Sequence, residues 1–119
     1  MAKNQWVDIA FQGNTEICIP ALWQYDHGLS LRFIDLPAGK ATHIHYANAD
    51  AERCVETQME LKSGHMVAIL PDVFLTSAKE ISAYLYLENE KGGRTTMQIR
   101  IPVVRRGRQA QTLSFSARA

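Results

Sequence analysis

Residues 82 to 103 read SAYLYLENEKGGRTTMQIRIPV, and the alternation running through them constrains the fold more than any other feature of the chain. Ile81, Ala83, Leu85 and Leu87 alternate with Ser82, Tyr84, Tyr86 and Glu88. Beyond a polar tip that carries Gly92 and Gly93, Met97, Ile99, Ile101 and Val103 alternate with Gln98, Arg100 and Pro102. Successive side chains of an extended strand point to opposite faces, so each arm presents one apolar and one polar face. A helix would scatter the same residues around its circumference. Two such arms about a glycine-bearing tip predict a β-hairpin with one side buried, and positive φ is expected at Gly92 or Gly93.

The same period recurs upstream. WVDIAFQG puts Val7, Ile9 and Phe11 on one face and stops at Gly13-Asn14. TEICIP aligns Ile17 with Ile19 and ends at Pro20, while LSLRFI aligns Leu29, Leu31 and Phe33 before Pro37-Ala38-Gly39. ATHIHYA sets Thr42, Ile44 and Tyr46 against His43 and His45. RCVETQMEL sets Val55, Thr57, Met59 and Leu61 against Cys54, Glu56, Gln58 and Glu60, and HMVAIL follows the turn at Ser63-Gly64. With the hairpin this makes about eight strands, with turn signals roughly every 8–12 residues, the pattern of an antiparallel β-sandwich of immunoglobulin-like or jelly-roll-like kind. PDVFLTSAK, residues 71 to 79, is the one helical candidate, a turn or so with Pro71 at its first position.

A chain of 119 residues has room for a single core. Hydrophobic residues at 46% and charged ones at 21% suit a folded globular domain. A net charge of +1 predicts neither nucleic acid nor membrane as a general partner. The N-terminus lacks the apolar core of a signal peptide, so synthesis in the cytoplasm is expected. Cys18 and Cys54 are expected to be free thiols there.

Signals for chemistry are few. His43 and His45 share a strand face and could chelate a metal with help from His27, His65 or Asp26, although an H-x-H pair is also an ordinary solvent face. Asp26, His27 and Ser30 have the residue types of a triad, but a turn uses the same residues. The chain has no nucleophile elbow, glycine-rich phosphate loop or H-E-x-x-H. Neither catalysis nor a cofactor is therefore expected. Trp6, Trp23, Tyr25, Tyr84 and Tyr86 fall at polar-face or loop positions, where aromatics anchor protein interfaces or stack on sugars.

The last strand gives way to RRGRQAQTLSFSARA. Arg105, Arg106 and Arg108 read as a solvated hinge, whereas Leu113 and Phe115 resume alternation. The chain thus divides into a sandwich over 1–104 and a basic arm over 105–119, suited to adding onto another subunit's sheet edge. Arg105, Arg106, Arg108, Leu113, Phe115, Tyr84 and Tyr86 are the expected partner-binding residues.

Two phrases, IPALWQYDHGLSLRFIDLP and LPDVFLTSAKEISAYLYLENEKGGRTTMQIRIPVVRR, resemble a family of small structural proteins from tailed phages and prophages of Gram-positive gut bacteria. The resemblance runs from Ile17 to Arg108. The chain is more loosely similar to the N-terminal β-sandwich of baseplate upper proteins of long-tailed phages. What the resemblance implies is a virion component of tail or baseplate, with copies of itself and other virion proteins as partners. A head-decoration or head-fibre base is the alternative location, and a carbohydrate-binding module meeting a host surface glycan is the alternative function.

Overall fold

The computed structural model describes residues 5–36, 43–48, 54–88 and 94–106. The strands are β1 (Gln5–Ile9), β2 (Glu16–Cys18), β3 (Leu22–Trp23), β4 (Leu29–Phe33), β5 (His43–Asn48) and β6 (Cys54–Gln58). They continue as β7 (Glu60–Lys62), β8 (His65–Ile69), β9 (Ile81–Glu88), β10 (Arg94–Ile101) and β11 (Val103–Val104). A four-stranded sheet, β1-β4-β8-β7, faces a five-stranded sheet, β2-β10-β9-β5-β6, and β11 pairs with β3 in a small third sheet. The protein is an all-β sandwich.

Among the described residues, eleven strands replace the expected eight for three local reasons. Pro20 and Pro102 carry no N–H for a ladder, and each falls just before a strand resumes, β3 after Pro20 and β11 after Pro102. The third break is at Met59. The run read as one strand over 53–61 leaves the five-stranded sheet after β6 and joins the four-stranded sheet as β7, with Met59 buried at the corner. Leu61, assigned to the inner face with Met59, lies across from the buried Met66 yet is 57% exposed, because β7 is an edge strand.

The sandwich is also mixed rather than purely antiparallel. β1 runs parallel to β4, β2 to β10 and β3 to β11. Parallel partners need long connections. The connection from β1 to β4 is supplied by an excursion through β2 and β3, which belong to the other sheets.

The hairpin follows its alternation closely. β9 and β10 pair antiparallel with Leu85 opposite Met97 and Ala83 opposite Ile99. Ile81, Ala83, Leu85, Met97, Ile99 and Ile101 are all buried, with Leu87 packed at the margin. The tip with Gly92 and Gly93 lies outside the described residues. Across the core stand Ile9, Leu29, Leu31, Phe33, Met66 and Ala68 of the four-stranded sheet.

The expected turn of helix is a single 3₁₀ turn, Asp72–Leu75, and Pro71 precedes it in extended conformation rather than starting it. The turn carries the chain from β8 to β9, hence from one sheet to the other. Phe74 and Leu75 are fully buried there, and the Phe74 ring lies 5.7 Å from that of Tyr46.

Cys18 and Cys54 are free and exposed. They sit on the two edge strands of the five-stranded sheet, β2 and β6, with three strands between them and beyond disulfide reach of each other.

Asp35 closes the corner after β4. Its carboxylate accepts from the backbone N–H of Gln12 at 2.8 Å and of Phe11 at 3.0 Å, and these bonds hold its pKa below the usual carboxylate range. A depressed native pKa adds stability that is present above the unfolded value and lost as pH falls through the native one. The thermal midpoint of the protein is therefore expected to fall below about pH 4. Asp35→Asn, which lacks that titration, should flatten the acid limb. Superimposable acid limbs for the two proteins would contradict this assignment.

Candidate partner-binding surfaces

Two surfaces collect most of the aromatic and charged residues singled out above, Trp6 on the four-stranded sheet excepted. The first is the outer face of the five-stranded sheet. In register across it run Glu16, Gln98, Tyr84, His45 and Glu56, taken from β2, β10, β9, β5 and β6. Tyr86 and His43 share this face by the period of two. The His45 and Tyr86 rings meet edge to face with centroids 5.3 Å apart, and His45 Nε2 lies 3.3 Å from Glu56 Oε2. Tyr86 is 37% exposed and Tyr84 is half-buried.

This geometry commits one member of the candidate metal pair otherwise. His45 is held by Glu56 and Tyr86, His65 belongs to the other sheet, and Asp26 is committed to an arginine. Among the described residues, no three His, Cys, Asp or Glu side chains gather as a metal site.

The second surface lies where the described chain ends. Trp23, Gln24, Tyr25 and Asp26 form a tight turn, closed by the Asp26 N–H donating to the Trp23 carbonyl at 3.2 Å. Tyr25 occupies its third position with φ of 70°, a place normally taken by glycine because a Cβ crowds the backbone there. A bulky residue so placed costs of order 1–3 kcal/mol and must be held by its surroundings. The holding contacts are clear. The Tyr25 N–H donates to the Leu75 carbonyl at 2.7 Å, and the Gln24 N–H donates to the Val104 carbonyl at 2.8 Å. The buried Gln24 amide donates to the Thr76 carbonyl at 2.9 Å and accepts from the Arg106 N–H at 3.1 Å. Trp23, at 50% exposure, and Tyr25, at 38%, are thereby displayed on a rigid corner.

Arg106 completes this corner. Its guanidinium donates to Asp26 Oδ1 at 2.9 Å and lies 5.7 Å from the centre of the Trp23 ring. Arg106 was expected to be solvated or to meet a neighbour, and the structure fastens it to its own chain by backbone and side chain alike. Arg105 is exposed beside it. Arg108, Leu113 and Phe115 lie outside the described residues.

Gln24 and the Asp26–Arg106 pair escaped sequence reasoning. Their partners lie 52 to 82 residues away, and a buried glutamine in a QYD turn reads like an exposed one. The turn-forming run Asp26-His27-Gly28 was the available hint.

No family model matches the chain, and no curated protein matches it.

Proposed function

We propose that the protein is a structural subunit of a tailed-phage particle, an assembly module of tail or baseplate that joins its neighbours through sheet edges and its C-terminal segment. The observation that carries this reading is the clamped exit of the chain. Gln24, Asp26 and Trp23 seize Arg106 immediately before residues 107–119, so force on that segment is delivered into the sandwich rather than into a free hinge. Residues 112–117, TLSFSA, alternate as an added strand would. The sandwich offers edges to receive such a strand: β1 and β7 on one sheet, β2 and β6 on the other. The likeness of the QYD and IPV phrases to small phage structural proteins supports the same reading. The constrained Tyr25 and half-exposed Trp23 suit contact with a partner, since such residues pre-order an interface.

Mass spectrometry of purified particles of the parent phage tests the proposal. The protein is expected as a stoichiometric virion component that survives density-gradient purification. Particles that contain every other structural protein but lack this chain would overturn it.

A further inference from the structure

The outer face of the four-stranded sheet contains a cavity of about 290 Å³ that the assembly reading leaves unused. Trp6, Ser30 and Ile69 stand side by side across β1, β4 and β8, and all three line it. Val67, two residues before Ile69 and on the same face, also lines the cavity and is only 5% exposed. Opposite Val67 in β7 is Glu60, and Lys62 follows on the same side. Gln58 arrives from the other sheet, because the chain changes sheets at Met59 directly after it.

One wall is fixed in advance. Arg32 grips Asp8 with two hydrogen bonds, of 2.8 and 3.1 Å, and its guanidinium lies 5.5 Å from the centre of the Trp6 ring. Arg32 itself does not line the cavity, so it braces the indole from outside. A ring already immobilised costs a ligand less ordering on binding.

The lining selects the chemistry of the occupant. Trp6, Val67 and Ile69 offer an apolar surface that a ligand must cover. The Gln58 amide and Ser30 hydroxyl can each both donate and accept hydrogen bonds. Glu60 accepts only and Lys62 donates only, and the two stand 3.7 Å apart with opposite charges. A charged ligand gains nothing net from that pair, and a purely apolar one would strip water from four polar side chains without replacing it. A sugar ring meets the requirements. It has an apolar C–H face and a rim of hydroxyls that donate and accept, and it is uncharged. The volume sits at the low end for ligand sites, enough for one or two rings. We infer that this cavity binds a neutral saccharide unit, with Trp6 as the stacking wall and Ser30, Gln58, Glu60 and Lys62 as the hydroxyl-reading rim.

The test uses the full chain carrying Trp23→Phe, which leaves Trp6 as the one tryptophan. Its fluorescence is followed during titration with glucose, galactose and N-acetylglucosamine, with glucuronic acid and glucosamine as charged counterparts. At least one neutral sugar should give a saturable change with a dissociation constant of about a millimolar, and its charged counterpart should bind more weakly. Gln58→Leu, at an exposed position, should weaken binding about tenfold and leave the unfolding midpoint in place. Trp6→Ala should abolish saturation-transfer NMR signals from the same sugar. A flat response to all three neutral sugars up to about 50 mM would overturn the inference, as would binding that survives both Gln58→Leu and Trp6→Ala. Either result leaves the assembly reading standing, since that rests on the clamp around Arg106, whose residues Trp23, Gln24 and Asp26 do not line this cavity.

Discussion

Replacing Phe74 with alanine is expected to destabilise the protein by about 3–5 kcal/mol. Phe74 is fully buried on the 3₁₀ turn that links the two sheets, and its ring lies 5.7 Å from Tyr46, itself fully buried on the facing strand β5. Truncation removes most of an aromatic side chain from a fully buried site and leaves a cavity behind. Leu85→Ala and Ile99→Ala, at fully buried positions of the hairpin, should cost about 2–5 kcal/mol each. Small domains have only about 5–15 kcal/mol in total, so any of the three should shift a urea midpoint far outside error. A shift below about 1 kcal/mol for Phe74→Ala would mean that the turn is not part of the core.

These residues also mark where the sequence was legible. The hairpin is written in it twice over, by the period of two and by the glycine tip, and a one-residue slip would turn Leu85 and Ile99 to solvent. Val7, Ile9, Phe11, Ile44 and Tyr46 were legible in the same way. Phe74 and Leu75 were not, because a short PDVFL segment has no period to read. Nor was the parallel pairing of β1 with β4. Alternation tells which face a residue takes but carries no information about the neighbouring strand or its direction. The Trp6 cavity depends on that pairing and on the corner at Met59, where an unbroken alternation hides a change of sheet. The Arg106 clamp is the clearest loss. In sequence Arg106 is one arginine of a basic run, and only the chain path brings it to Asp26 and Trp23.

The second large effect concerns association. Arg106 already has its partners within the sandwich, so arginine contacts with a neighbour fall to Arg105 and Arg108, and exposed ion pairs are worth about 0–1 kcal/mol each. Leu113 and Phe115 can each contribute roughly 1.5–3 kcal/mol if buried against another subunit. Losing both should weaken association by about 3–6 kcal/mol, or on the order of a hundredfold to ten-thousandfold in dissociation constant. Leu113→Ser with Phe115→Ser should therefore disrupt assembly far more than Arg105→Gln with Arg108→Gln. The fold itself should not notice, because every contact described above lies within residues 5–106.

Light scattering on the full chain and on a variant lacking residues 109–119, at matched micromolar concentrations, tests the assembly claim most directly. The full chain should have the mass of a defined oligomer. The shortened chain should have the mass of a folded monomer whose thermal midpoint is nearly unchanged. A full chain that stays monomeric, or a shortened chain that keeps the oligomer's mass, would contradict the account.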